Sequence, residues 1–144
     1  MERNVNYKPK EYHDITPYMI VRNVDGLIGF LKEVFNAELH EHMKGADGRI
    51  MHAEVRIGDS FLMMGGATDQ YPAFPAMMYV YTDDTDAVYQ RAIKAGGISL
   101  QEPADQFYGD RTAGFKDLHG NHWWLATRVE EVSKDEMERR AATQ

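Results

Sequence analysis

The sequence predicts an α+β fold: two βαβββ modules forming a curved mixed sheet, a cup, with helices on the outer face. Three observations predict it. The order strand, helix, strand, strand, strand occurs twice along the 144 residues. Matching residues of the two copies recur at an offset of 61 or 62, with Tyr18 on Tyr79, Asp25 on Asp86, Arg49 on Arg111, Gly58 on Gly120, Phe61 on Trp123 and Leu62 on Trp124. Each helix is apolar along one stripe only, as a helix covering one face of a sheet must be. A repeat this long is not a solenoid unit, so it reads as a half-domain duplicated once.

Residues 15–22, ITPYMIVR, are rich in β-formers and predict the first strand. Residues 25–35 predict a helix, because Leu27, Phe30, Leu31 and Val34 fall on one helical face. Asp25 is its expected N-cap. Residues 37–44 alternate as a half-buried strand, GADG at 45–48 is a turn, and strands at 49–57 and 60–64 flank Gly58-Asp59. After the loop GGATDQYPAFP the order restarts with a strand at 77–82. A helix at 84–95 follows, with Ala87, Val88, Ala92 and Ile93 as its stripe and Gly96-Gly97 as its stop. Strands at 98–102, 110–117 and 121–127 complete the copy. One domain is therefore expected over 1–144, with module 1 at about 14–66, module 2 at about 76–128 and a terminal helix at about 133–142. That helix opens on a capping box, Ser133-x-x-Glu136, and its polarity suits a solvated helix or one lying on a partner subunit.

Composition narrows the function. The net charge is −7 and no basic stripe is present, so no nucleic-acid partner is expected. No apolar run approaches the ~18 residues that a membrane span requires, so no membrane partner is expected. The first 14 residues lack the apolar core of a secretion signal. Cysteine is absent, which excludes disulfides and thiolate chemistry. A cytoplasmic location is the expectation. Nine Met and sixteen aromatics (two Trp, eight Tyr, six Phe) suit an adaptable apolar interior or pocket.

The doubled βαβββ order, DGLIGFLKEVFNAE, HAEVRIGDSFLMM and YGDRTAGFKDLHGNHWWLATRVEEVSKDEMERR together resemble the vicinal-oxygen-chelate superfamily. This is the glyoxalase, bleomycin-resistance and dioxygenase superfamily, and the PhnB-like branch is the most similar part of it. The resemblance implies a homodimer as the default. It also implies a divalent ion held by His, Gln or Glu from the first and last strands of each module. Mapped through the repeat, those four positions fall at Thr16, Leu62, Met77 and Trp124. None is a usual ligand for such an ion. No cofactor is therefore expected, and a divalent metal at a non-standard site is the alternative. His122, two residues before Trp124 on the same strand face, is the weak metal candidate.

If the old ligand positions face the cup, alternation places Thr16, Tyr18, Ile20, His52, Glu54 and Arg56 on that side. From the second module it places Met77, Tyr79, Tyr81, Lys116, His122 and Trp124 there. Met51, Ala53, Val55, Ile57, Phe115, Trp123 and Leu125 should then lie against the helices. The expected ligand-binding residues are Tyr18, His52, Glu54, Tyr79, Lys116, His122 and Trp124. His52 beside Glu54 is the candidate acid–base pair, since histidine titrates near neutrality. Glu54 and Lys116 are expected as repeat equivalents able to pair. Asp110-Arg111 after Tyr108-Gly109 reads as an intramolecular ion pair that pins the loop, with Arg111 on the outer face, and an anion clamp is the alternative. His40 and His42 are expected on one face of an edge strand. These features favour a small-molecule-binding protein that takes an aromatic or amphipathic ligand. A metal-dependent lyase, isomerase or dioxygenase is the alternative, and a structural or regulatory dimer module without a ligand ranks third.

Overall fold

The computed structural model describes residues 2–144. It contains two compact units, Met1–Phe74 and Pro75–Gln144. The first carries β1 (Tyr18–Val21), α1 (Val24–Phe35), β2 (Glu38–Lys44), β3 (Ile50–Ile57) and β4 (Ser60–Gly66). The second carries β5 (Met77–Tyr81), α2 (Thr85–Lys94), β6 (Ile98–Asp105), β7 (Asp110–Lys116), β8 (His122–Arg128) and α3 (Lys134–Ala141). Each unit holds one four-stranded mixed sheet, ordered β1-β4-β3-β2 and β5-β8-β7-β6. The β1–β4 and β5–β8 pairs are parallel and the other neighbours antiparallel. The predicted α+β order of two βαβββ modules is thus the observed one.

Both long helices start on a short polar side chain. Asn23 Oδ1 accepts from Gly26 N at 2.9 Å, and Asp84 Oδ1 accepts from Ala87 N at 3.0 Å. The cap of α1 is therefore Asn23 and not Asp25. Asp25 sits in the first turn, where a carboxylate complements the helix dipole. The two caps stand 61 residues apart, in step with the repeat.

One face of each sheet is covered by its helix. In the first unit Met19, Val21, Ala53, Val55, Leu62 and Met64 are buried on the same side as Leu27, Leu31 and Val34 of α1. In the second, Ala113, Phe115, Trp123 and Leu125 meet the α2 side, with Val88, Tyr89 and Ala92. Met51 departs from its predicted place against the helix. It is 63% exposed, because the strand irregularity near Met43 and Lys44 disturbs that end of the sheet.

Strand register corrects the internal alignment. Tyr18 pairs with Met63, and Tyr79 pairs with Trp124. Met63, not Leu62, is therefore the counterpart of Trp124. Leu62 turns to the helix side and is buried. Across the hairpins Glu54 pairs with Met63 and Gly114 with Trp124, while Arg56 pairs with Phe61 and Lys116 with His122. The equivalents are thus Glu54 with Gly114 and Arg56 with Lys116, so Glu54 and Lys116 are not repeat partners. The cause is one extra residue in the second hairpin. Four residues, 57–60, separate Arg56 from Phe61, and five, 117–121, separate Lys116 from His122. A one-residue slip reverses every face assignment along a strand.

The longer hairpin is organised by Asp117, which is 3% exposed. Its carboxylate accepts from His119 N, Asn121 N, Asn121 Nδ2 and Trp123 Nε1 at 2.8–3.1 Å. Asn121 Oδ1 in turn accepts from Ala76 N at 2.8 Å, tying the turn to the entry of β5. Arg111 projects to the helix side and holds Asp86 of α2 through two bonds, at 2.8 and 3.0 Å, and Asp105 at 3.1 Å. Arg111 is thus ion-paired on the outer face as expected, with Asp86 and Asp105 and not Asp110 as its partners. The α3 helix buries no residue, and Ser133 Oγ caps it from Glu136 N as predicted. Arg140 fastens it to Glu130 and to the Phe107 carbonyl.

Replacing Asp117 by alanine removes the acceptor of four donors at one buried point. The expected loss is about 3 kcal/mol of unfolding free energy in urea titration. A loss below about 1 kcal/mol would show that the turn does not depend on this carboxylate.

Candidate functional site

The uncovered face of the first sheet collects the polar residues. Glu54 is central and 8% exposed. One of its oxygens accepts from Tyr12, and the other is 2.6 Å from His52 Nε2. The second ring nitrogen, His52 Nδ1, is 3.1 Å from the Tyr18 hydroxyl. In the neutral tautomer that carries its hydrogen on Nε2, directed at Glu54, Nδ1 accepts from Tyr18. The result is one hydrogen-bonded chain, Tyr12–Glu54–His52–Tyr18.

The electrostatics follow. Burial pushes the Glu54 carboxyl up, but the hydrogen bonds from Tyr12 and His52, with the nearby His40, outweigh it and hold the group below its usual range. Burial, then the bond to Glu54, pushes the Tyr12 phenol up. Burial, then the Glu54 charge, raises the Tyr18 phenol. Both phenols therefore stay protonated at neutral pH.

Tyr12 comes from the segment before β1. Its ring stacks on Phe61 with centroids 3.9 Å apart and an interplanar angle of 13°. His40 meets the same Phe61 ring edge-on at 4.9 Å. These rings cover the outer side of Glu54 and explain how a carboxylate is buried on a face with no helix. Arg56 adds a bond to the Gly58 carbonyl and an ion pair to Glu11 at 3.5 Å. Nothing in the pattern of the first 14 residues announces this role for Tyr12.

His40 and His42 do not share a face as expected. The irregularity between Leu39 and Glu41 separates them. His42 turns to the helix side and meets Asp25 at 2.7 Å. Glu41 pairs with Glu54 across β2–β3 and stays on the uncovered face. Glu41, His52 and Glu54 consequently offer ligand atoms that all lie within 4.8 Å of one another.

The Tyr18 end of the chain opens on a pocket of about 390 Å³. Its walls include Tyr18, Ile20, Ile50, Met51 and Tyr71, with Arg49, Gly65, Gly66 and Thr68. Gly65 leaves room there for the Tyr18 hydroxyl. A Cβ at this position would lie 2.8 Å from the Tyr18 hydroxyl and 3.1 Å from the Met51 carbonyl. Thr16 stands outside β1, and its hydroxyl donates to the His13 carbonyl.

In the second unit Tyr79, Lys116, His122 and Trp124 share the uncovered face, as expected from the alternation. Trp124 lies against Gly114, where a Cβ would come within 2.7 Å of the indole. Its Nε1 is buried without a hydrogen-bond partner among the described residues. Tyr79 donates to Asp110 at 3.4 Å. His122 is flanked across the strands by Met77 and Lys116, a thioether and a cation. Among the described residues no group of three His, Asp or Glu ligands includes it.

The positions where the resemblance puts metal ligands do not fit a divalent ion. Met77 and Trp124 face the uncovered side without a hard donor, Leu62 is turned away, and Met63 replaces it. The Glu41–His52–Glu54 group does fit by donor type, with two carboxylates and an imidazole. There an ion would compete with Tyr12 for one Glu54 oxygen and with His52 for the other.

Comparison with known proteins agrees with this architecture. A Mycobacterium bovis protein, Mb0911c, is 30% identical over 141 residues, covering 90% of this chain and 93% of its own. The solved structure of TioX from Micromonospora sp. ML1 covers 80% of this chain and 99% of its own, with 22% identity and a TM-score of 0.66. The PhnB protein from Bacillus cereus covers 80% and 99%, with 16% identity and a TM-score of 0.67. Residues 13–125 match the family model described as Glyoxalase/Bleomycin resistance protein/Dioxygenase superfamily, and the chain belongs to that superfamily.

Proposed function

We propose that this chain binds a small aromatic or amphipathic molecule in the pocket beside Tyr18, without a resident metal. The observation that carries the reading is the junction of that pocket with the Tyr12–Glu54–His52–Tyr18 chain. Apolar walls supply affinity, and a few convergent polar groups supply orientation. Tyr18 is the member of the chain that meets a ligand. Its hydroxyl donates to His52, so it presents a lone pair to the pocket. His52 and Glu54 act behind it: Glu54 fixes the ring orientation and so aims Nδ1 at the Tyr18 hydroxyl. If the bound molecule reacts, proton movement through Tyr18 and His52 is the chemistry available. The Trp124, Tyr79, His122 and Lys116 face of the second unit is a second candidate contact surface. A homodimer in the cytoplasm belongs to the same proposal. Its support is superfamily membership, and no helix of the described residues is long and apolar enough to cross a membrane.

A second reading rests on the Glu41–His52–Glu54 group. Here a divalent ion would use these ligands in place of the Tyr12 and His52 contacts to Glu54. The PhnB relative and the genomically encoded fosfomycin resistance protein FosX of Listeria monocytogenes share only the fold at 16% and 15% identity.

Two experiments separate the readings. A metabolite and drug-fragment panel should contain molecules that shift the amide signals of Ile20, Met51 and Gly65, and Tyr18→Ala should weaken them tenfold or more. A panel that leaves those signals unmoved sinks the first reading. Titration with Zn²⁺, Mn²⁺ or Ni²⁺ should leave the melting temperature unchanged. A one-to-one ion, lost in Glu41→Gln, would instead establish the second reading.

A further inference from the structure

The pocket beside Tyr18 carries one formal charge, and it is positive. Its lining is Tyr18, Ile20, Arg49, Ile50, Met51, Gly65, Gly66, Thr68 and Tyr71, with no Asp or Glu. This is notable in a chain whose net charge is −7. Arg49 stands at the exposed rim, just after the 45–48 turn. Its stem runs along Gly66, since a Cβ there would lie 3.8 Å from Arg49 Cγ. Its backbone N–H donates to Asp47 Oδ1 at 3.0 Å, while no ion pair engages its guanidinium among the described residues. Arg56, Arg111, Arg128, Arg139 and Arg140 pair with carboxylates, whereas Arg3 and Arg22 share the unpaired state of Arg49 among the described residues but do not line this pocket. The same lining includes Tyr18 and the apolar residues Ile20, Ile50 and Met51.

We infer that Arg49 is the anion-docking group of this pocket and that the ligand is an amphipathic organic acid. This rests on the pocket reading above. The carboxylate of such a molecule meets the guanidinium at the rim, where planar two-point hydrogen bonding is available. Its apolar or aromatic body lies along Ile20, Ile50, Met51 and Tyr71. A cavity of about 390 Å³ suits a body of one ring and a short chain. A group that donates a hydrogen bond on the far end meets the Tyr18 oxygen. Selection works in both directions: a cationic ligand is repelled at the rim, and a neutral one leaves Arg49 unused.

The test uses the full chain and two probes of equal shape, 4-phenylbutyrate and 4-phenyl-1-butanol, titrated at pH 7.5 by calorimetry and amide NMR. The acid is expected to bind at least tenfold more tightly than the alcohol and to weaken with added salt. Arg49→Gln should erase the preference while leaving the alcohol unchanged, and Arg49→Lys should keep part of it. Equal binding of acid and alcohol, or a preference that survives Arg49→Gln, overturns the anion assignment and leaves the pocket reading standing. Failure of both probes to shift Ile20, Met51 or Gly65 overturns the pocket reading itself.

Discussion

The carboxylate of Glu54 is the constraint on which the first unit's uncovered face depends. A charge buried in a sheet costs several kcal/mol unless it is paired and hydrogen-bonded. Glu54 meets that condition by drawing in two groups from different parts of the chain. Tyr12 reaches it from the segment before β1, and His52 reaches it from two residues earlier on the same strand. Each then has a consequence. Tyr12 brings its ring onto Phe61, closing the outer side of the face. His52 is locked in orientation and turns its other nitrogen to Tyr18. The pocket wall is thus set by a bond two steps away from it.

The two units of the repeat use the same scaffold for different ends. Where the first has Glu54, the second has Gly114, and the space is filled by the Trp124 indole. Where the first has Met63, the second has that tryptophan. One unit therefore carries a polar chain with a pocket at its end, and the other an aromatic surface over a glycine. Duplication followed by this divergence accounts for a chain whose halves keep their order of elements and share little of their surface chemistry.

Much of the fold was legible in the residues. Helical spacing located α1 and α2, and alternation separated Trp123, fully buried against the helix side, from Trp124 on the other face. His52, Glu54 and Tyr18 were all placed on one face by period-2 counting, and they do form one hydrogen-bonded chain. Three features escaped, each for a physical reason. The extra residue in the second hairpin leaves no mark in a weakly similar repeat, yet it makes Met63 rather than Leu62 the counterpart of Trp124 and breaks the expected match of Glu54 with Lys116. The irregularity in β2 split His40 from His42, because a bulge depends on backbone geometry that alternation cannot register. Tyr12 lies in a segment without periodicity, so its contact with Glu54 is visible only in three dimensions.

Tyr12 and His52 together hold Glu54 as a carboxylate and so orient Tyr18. A folded pKa below the ordinary value of 4.5 means that its stabilising contribution is complete above that pH and is lost as the pH falls through the folded value. The direct measurement is the ¹³C titration of the Glu54 side-chain carboxyl in the full chain and in Tyr12→Phe. A midpoint below 4.5 is expected in the unmodified chain and a higher one in the variant. A midpoint at or above 4.5, unmoved by Tyr12→Phe, would contradict this.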